Sequence, residues 1–165
     1  MAYATNFDKN VKKVLEKKVP EYAWELGWPR KGKRLKVDVG GTLKGGDRRL
    51  PRHVLIEAEL KKENPVGNVV KIWRWASRRN NAKRILFVQA FSEHYWDTKD
   101  THRVRAVFVG ERMKKDRKLH IDYKWLAIHI KPKELPGFRT KEGGGSMVRA
   151  AQDLAKQVAR LVHST

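Results

Sequence analysis

A short apolar run at residues 85–91, ILFVQAF, limits the folds open to this chain. Seven residues are few for a buried helix, and an apolar run without polar alternation is typical of a strand covered on both faces. A second run, WLAIHI at residues 125–130, predicts another buried strand. Because helices must then cover both faces of the sheet, the two runs together predict an α/β fold.

Helix and strand patterns alternate along the rest of the chain. Helical spacing of apolar residues predicts helices over residues 7–28, 69–79, 101–115 and 146–161. Pro20 is expected to kink or divide the first helix, and Val104, Val107 and Phe108 to form the buried side of the third. Three strands are expected between the first two helices, two of them placed at 35–39 and 53–60.

Punctuating residues and chain length set the predicted organisation. The glycine pairs at 40–41 and 45–46 predict turns, and Asn68 is a candidate N-cap. With 165 residues we expect one domain, 1–165, made of an N-terminal helical segment (1–28), a core (34–130) and a C-terminal helix (146–163). The expected order is α-β-β-β-α-β-α-β-α, with a mixed central β-sheet flanked by helices.

The charge of the chain predicts its class of partner. The formal net charge is +20 and the pI is about 10.4, an excess that favours a polyanion: DNA, RNA or an anionic membrane surface. No apolar run approaches the roughly 18–20 residues of a membrane span. The absence of cysteine excludes disulfides and thiolate metal sites. We therefore expect a cytoplasmic protein that binds nucleic acid and no membrane.

Two carboxylates interrupt the second predicted strand, HVLIEAEL at residues 53–60. Side chains alternate along a strand, so Glu57 and Glu59 share one face, where like charges repel. Asp38 lies one hairpin upstream, in a strand that can pair with this one. Three such carboxylates form an oxygen site suited to Mg²⁺ or Mn²⁺. The alternative is that the glutamates pair with lysines across an exposed strand face.

The pattern Val37-Asp38 followed by Leu55-Ile56-Glu57-Ala58-Glu59 resembles the PD-(D/E)XK nuclease superfamily. The resemblance implies a restriction endonuclease-like core, built from a helix, a three-strand meander, a helix, a strand, a helix and a further strand. It also implies that Asp38 and Glu57 hold the metal, with the carbonyl of Ala58 as a further ligand. Glu59 takes the position usually held by lysine, and would position or deprotonate the attacking water.

The lysine that assists such a site has several candidates. Glu59-Leu-Lys61 is itself a Glu-x-Lys sequence, and Lys61 lies near the strand end, where it could orient a phosphate. In some members of the superfamily the lysine moves to the following helix, which makes Lys71 the candidate. Lys36 shares the face of Asp38. The superfamily often adds a glutamate from the first helix. Glu16, Glu21 and Glu25 all lie in the predicted first helix, where helical spacing does not choose among them, and Glu16 is preferred here.

Basic residues surround the predicted site. The candidates for contact with nucleic acid are Lys36, Lys44, Arg48, Arg49, Arg74, Arg78 and Arg79. Their expected contacts are to phosphates, which position a substrate without reading its sequence. The sequence therefore predicts a Mg²⁺- or Mn²⁺-dependent endonuclease, acting as a homodimer on duplex or branched DNA, with RNA also open. The rival hypotheses are an inactive nucleic-acid-binding protein with this fold and a basic assembly factor without a metal site.

Overall fold

The computed structural model describes residues 6–29, 35–61, 64–78, 83–96, 101–131 and 145–164. The elements in chain order are α1 (Asn6–Lys18), β1 (Tyr22–Trp28), β2 (Val37–Leu43), β3 (His53–Glu59), α2 (Pro65–Arg78), β4 (Ile85–Ser92), α3 (Thr101–Lys114), β5 (Ile121–Ile128) and α4 (Gly145–Ser164). A single 3-10 turn, Glu93–Tyr95, follows β4. The prediction of an α/β fold with a mixed sheet flanked by helices is confirmed, and so is the order of its helices and strands.

The five strands form one sheet in the order β1-β2-β3-β4-β5. The first three strands pair antiparallel, whereas β3, β4 and β5 are parallel to one another. Parallel neighbours need a crossover connection, which α2 and α3 provide. The carboxyl ends of β3, β4 and β5 therefore meet at one end of the sheet.

Helices cover both faces of the sheet, so the fold has three layers. Helices α1 and α4 cover one face, where they pack against Val54 and Ile56 of β3. Helices α2 and α3 pack on the other face, where Leu55 of β3 contributes. Every residue of β4 is buried, as predicted for a strand covered on both sides. Because strand side chains alternate, Glu57 and Glu59 lie on the α2/α3 face.

The second half of the predicted first helix is a strand. Helix α1 ends at Lys18 and β1 begins at Tyr22, with Pro20 between them. Three aromatic residues lie in β1, at Tyr22, Trp24 and Trp28, and all three are buried. That aromatic enrichment favours a strand, and the sparse helical spacing of alanine and leucine in this segment does not outweigh it.

The Gly40–Gly41 pair lies inside β2 and makes no turn. A Cβ atom on Gly40 would stand 2.4 Å from Trp28, and one on Gly41 would stand 2.8 Å from the ring of Trp24. Trp28 belongs to the core on the α2/α3 side and Trp24 to the core on the α1/α4 side. The two glycines therefore let large aromatic rings lie against both faces of the strand.

Helix α3 packs through a different side from the one predicted. Val104 and Phe108 are each 60% exposed, and of the predicted residues Val107 alone packs, partly buried, against the core. The buried residues are Ala106, Gly110 and Met113. A Cβ on Gly110 would lie 2.3 Å from the ring of Tyr123. The helix thus approaches β5 through its small residues, which apolar periodicity does not reveal.

Helix α2 begins at Pro65, three residues before the predicted cap Asn68. The side chain of Asn64 accepts a hydrogen bond from the backbone N–H of Gly67 at 2.9 Å, the geometry of an N-cap. Pro65 then occupies the first helical position, which suits its fixed backbone angle. Asn68 is consequently free to point its side chain toward β3 from within the helix.

Candidate active site

The pairing between β2 and β3 stops just before the predicted acidic residues. The last paired residues are Val39 and Ile56, and the next positions along the two strands are Asp38 and Glu57. Beyond that point Asp38 Oδ2 accepts a hydrogen bond from the backbone N–H of Ala58 at 2.9 Å. A side-chain carboxylate thus takes the place of a backbone acceptor. This places Asp38 beside the segment of β3 that carries Glu57, as predicted.

Glu57 forms an ion pair with Lys71 of α2. The Lys71 ammonium donates to Glu57 Oε1 at 2.8 Å and to Asn68 Oδ1 at 2.9 Å, and it also donates to the carbonyl of Lys36. These three acceptors match the three donors of an ammonium group. The Glu57 side chain is 2% exposed and that of Lys71 is 28% exposed. The structure thus brings Lys71, one of the candidate lysines, to Glu57.

This ion pair corrects one expectation from the sequence. A metal was expected to be the partner that relieves the repulsion between Glu57 and Glu59, with no lysine on Glu57, and the structure adds Lys71 as a partner of Glu57. The metal itself stays a prediction. The lysine comes from a helix packed on the buried face, since both glutamates point into the α2/α3 layer. It is not a neighbour on an exposed strand face, so the alternative interpretation is also wrong in its geometry.

Glu59 belongs to a separate amide network. It is fully buried, and its Oε1 accepts hydrogen bonds from Asn68 Nδ2 and Gln89 Nε2, both at 2.8 Å. In the part of the chain that the structure describes, its buried Oε2 has no hydrogen-bond partner. A sealed carboxylate cannot contact solvent water. The burial of Glu59 therefore argues against its predicted role in positioning or deprotonating the attacking water.

The network around Glu59 continues to β5. Gln89 also donates to the carbonyl of Pro65 at 2.8 Å and accepts from the Tyr123 hydroxyl at 3.0 Å. Burial, followed by the nearby charges of Glu111 and Glu59, raises the pKa of Tyr123 above its ordinary value. Asn68 joins this network to Lys71. A continuous chain of side-chain hydrogen bonds therefore runs from β5 to the Glu57–Lys71 pair.

Sequence reasoning missed three members of this chain. Gln89 gave a signal, since it is the polar residue within the apolar run at 85–91. Asn68 was interpreted as a cap, and Tyr123 precedes the run that predicted β5. A polar side chain inside a strand buried on both faces needs partners, so Gln89 is the residue from which the network could have been predicted.

Glu16, another predicted contributor, lies away from Glu57. Glu16 is exposed on α1 and pairs with Lys12, and α1 covers the opposite face of the sheet. The preference for Glu16 is therefore wrong, because the sheet separates it from Glu57. Lys61 is exposed and lies two residues beyond the end of β3.

The donor atoms near Asp38 fit a divalent metal with oxygen ligands. Asp38 and Glu57 supply carboxylates, and the Ala58 carbonyl, which accepts from the Leu60 N–H at 3.0 Å, keeps a second lone pair. Mg²⁺ commonly takes one or two carboxylates and completes its shell with water and phosphate oxygens. Within the described residues no group of three or more His, Cys, Asp or Glu side chains could hold a metal. The predicted convergence of three carboxylates is thus wrong, and the residues fit a site with two.

The loop that carries Lys44, Arg48 and Arg49 lies at the opposite end of the sheet from Asp38. Asp38 is near the start of β2 and the loop follows the end of that strand. Six residues at about 3.3 Å each separate Asp38 from Lys44 by roughly 20 Å. These residues were expected beside the metal site, but a hairpin places its loop at the closed end, whereas Asp38 and Glu57 are at the open end.

The closed end of the hairpin is nevertheless basic. A groove of about 560 Å³ there has Arg48, Arg52, Lys83 and Arg84 in its lining. Arg49 forms a two-pronged contact with Asp47, Nε to Oδ1 at 3.1 Å and Nη2 to Oδ2 at 3.0 Å. These hydrogen bonds lower the pKa of Asp47 and raise that of Arg49. Arg49 is thus already engaged by a carboxylate, which weakens its case as a phosphate ligand.

The basic residues of α2 lie closer to the candidate site. Lys36 is exposed next to Asp38, and Arg74 and Arg78 are exposed on the helix that carries Lys71. A helix rises about 1.5 Å per residue, so Arg74 lies roughly 4.5 Å and Arg78 about 10 Å beyond Lys71 along the axis. Arg79 lies outside the described residues.

No protein-family model, curated protein or solved structure matched this chain. In addition, the described helices include none long and apolar enough to cross a membrane.

Proposed function

We propose that the protein is a metal-dependent endonuclease that hydrolyses phosphodiester bonds of DNA, with Asp38, Glu57 and Lys71 at its active site. One observation carries the proposal. Asp38 bonds to the backbone of β3 one residue from Glu57, and Lys71 bonds to Glu57, at the end of the sheet where the β2–β3 pairing opens. Three segments distant in sequence thus bring two carboxylates and an ammonium group together.

The roles of these residues follow from their chemistry. Asp38, Glu57 and the Ala58 carbonyl would hold Mg²⁺ or Mn²⁺, which when bound activates water and neutralises charge on the phosphate. Lys71 is the more exposed member of its ion pair, and a phosphate oxygen would replace one of the three acceptors that its ammonium contacts. Hydrolysis adds one water across the P–O bond and leaves a phosphate monoester on one fragment and a hydroxyl on the other.

Two broader features support the same function. The charge of +20 favours a polyanionic substrate. The order of helices and strands matches the core that the PD-(D/E)XK resemblance implies, and Asp38 and Glu57 occupy the two acidic positions of that motif. The lysine would then come from the helix after the acidic strand. A homodimer, which suits symmetric cutting of two strands, remains a prediction.

A second function is favoured by the burial of the acidic side chains. Glu57 is 1% exposed and Glu59 is fully buried, and both have partners within the protein. Buried carboxylates with partners inside the protein are what we would expect of an inactive protein that binds nucleic acid through its basic surface. In that case the acidic residues would stabilise the fold.

Cleavage separates the two functions. Supercoiled plasmid, linear duplex, a four-way junction and single-stranded DNA would be incubated with the protein in Mg²⁺, in Mn²⁺ and in a chelator. We expect metal-dependent cleavage that Asp38→Asn and Lys71→Met abolish and that Glu16→Gln, a change of an exposed glutamate on the opposite face, retains. DNA binding without cleavage under all conditions would favour the inactive protein. Equal cleavage by wild type and Asp38→Asn would show that the nuclease acts elsewhere or is a contaminant.

A further inference from the structure

Two tryptophan side chains are exposed around one arginine near the carboxyl ends of the parallel strands. Trp96 is 38% exposed and Trp125 is 40% exposed. Their ring centroids lie 6.0 Å apart at an interplanar angle of 49°. The Arg103 guanidinium lies 4.3 Å from the centre of the Trp96 ring and 5.8 Å from that of Trp125. We call these three residues the Trp–Arg–Trp cluster.

The register of the sheet places this cluster near the candidate active site. Glu57 pairs with Gln89, and Gln89 pairs with Trp125, so the three residues form one row across β3, β4 and β5. Neighbouring strands lie about 4.8 Å apart, which puts the backbone of Trp125 roughly 10 Å from that of Glu57. Trp96 follows the carboxyl end of β4, and Arg103 is in the first turn of α3. The cluster therefore shares an end of the sheet with Lys71.

The chemistry of the cluster fits nucleobases rather than the phosphate backbone alone. Exposed indole rings offer flat apolar surface on which bases stack, and a guanidinium between them adds a positive charge for the adjoining phosphate. Bases inside a duplex are stacked and paired, so such contacts need unpaired nucleotides. A separation of about 10 Å corresponds to roughly three steps of a stacked strand at 3.4 Å. One nucleic-acid strand could thus contact both the Trp–Arg–Trp cluster and the candidate active site.

We propose that the Trp–Arg–Trp cluster binds unpaired bases next to the scissile phosphate, so that the substrate carries single-stranded nucleotides beside the cleavage position. This inference rests on the proposed nuclease function, because it names the substrate form of that site. It assigns base stacking to Trp96 and Trp125 and a phosphate contact to Arg103.

Binding in the absence of metal tests the stacking without any cleavage. Fluorescence anisotropy would compare a labelled thymidine strand, an abasic strand of the same length and phosphate number, and a duplex hairpin, all in chelator. Loss of one stacked base lowers affinity by about five- to 150-fold, at tenfold per 1.4 kcal/mol. We expect wild type to bind the abasic strand at least fivefold more weakly than the thymidine strand.

Substitutions then assign that difference to the cluster. In Trp125→Leu and Trp96→Leu the gap between thymidine and abasic strands should shrink to under twofold, while hairpin affinity changes little. Phe108→Leu is the matched control, since Phe108 is an exposed aromatic of α3 outside the cluster and should keep the gap. Equal affinity of wild type for both strands, or an equal loss for both in the tryptophan variants, would overturn the proposal.

The same samples distinguish this inference from the function on which it rests. Asp38→Asn should cleave nothing but keep the preference for the thymidine strand. If wild type shows the preference yet never cleaves, then the nuclease function fails and base stacking stands. If wild type cleaves DNA without the preference, then the inference fails and the nuclease function stands.

Discussion

Replacing Lys71 with methionine removes a charge that a buried carboxylate needs. The Glu57 side chain is 2% exposed and bonds Lys71 Nζ at 2.8 Å. Removing one partner of a buried pair costs about 3–5 kcal/mol, because the other charge stays buried without compensation. Since Lys71 is partly exposed, we expect the lower part of that range or slightly less, about 2–4 kcal/mol for Lys71→Met.

The reverse change is expected to cost much less. In Glu57→Gln the buried charge itself is removed and the side-chain volume is kept. Lys71 retains Asn68 and the Lys36 carbonyl as acceptors and reaches solvent. The loss is then about that of one hydrogen bond, roughly 0.5–1.5 kcal/mol. The double variant should be more stable than Lys71→Met alone, since the uncompensated carboxylate is gone.

Urea unfolding followed by circular dichroism measures these differences, and a thermal melt checks them. For a chain of this size each kcal/mol shifts Tm by about 2–4 °C, so Lys71→Met should melt roughly 4–16 °C below wild type. Lys36→Met, which changes an exposed neighbouring lysine, is the control and should change little. A Glu57→Gln protein as unstable as Lys71→Met, or a double variant less stable than both, would refute the charge argument.

Added metal extends the same test to the proposed site. An ion held by Asp38 and Glu57 can compensate the negative charge of Glu57, which loses its lysine partner in Lys71→Met. At 100 times its Kd it stabilises the fold by about 2.7 kcal/mol. We expect Mg²⁺ or Mn²⁺ to stabilise Lys71→Met more than Glu57→Gln. An identical shift in both variants would mean that the ion binds elsewhere.

Three further outcomes can be measured on single variants. Asp38→Asn keeps a side-chain oxygen to accept the Ala58 N–H, so its unfolding free energy should stay within about 1 kcal/mol of wild type while metal binding, measured by calorimetry, is lost. Gly40→Ala places a Cβ against Trp28 and should cost about 1–3 kcal/mol in urea unfolding through overpacking. The raised pKa of Tyr123 gives stability that is complete below the unfolded-state pKa of about 10 and is lost as pH rises above it. The fall in unfolding free energy above that pH should therefore be shallower in Tyr123→Phe.

The parts of the fold that the sequence predicts are those with strong local patterns. The run at 85–91 has no polar alternation, so it could be recognised as the central buried strand, and its helices on both sides followed from that. The prediction for segment 22–28 was wrong because Ala23 and Leu26 fitted a helix, while the three aromatic residues, which favour a strand, were given no weight. The predicted buried side of helix α3 was wrong because the helix contacts β5 through Gly110, a residue that carries no apolar signal.

The candidate site likewise contains residues that the sequence could predict and residues that it could not. Asp38 and Glu57 were found because carboxylates in apolar strands are unusual and the strands were adjacent in sequence. The choice of Lys71 over Lys61 depended on how α2 packs, and that is set by the Asn64 cap and the Pro65 start. The hydrogen bonding of Glu59 depends on Asn68 and Gln89, which lie on other elements. Such contacts are tertiary, and no spacing along the chain encodes them.

The glycine in the middle of α3 has a consequence for genetics. Gly110 lets the helix rest on the ring of Tyr123. The Tyr123 hydroxyl begins the hydrogen-bond chain that passes through Gln89, Glu59 and Asn68 to Lys71. Side chains larger than hydrogen at this position must displace that ring. A random screen for loss-of-function alleles should therefore recover changes at Gly110, far along the chain from Lys71, in proteins that still accumulate in the cell.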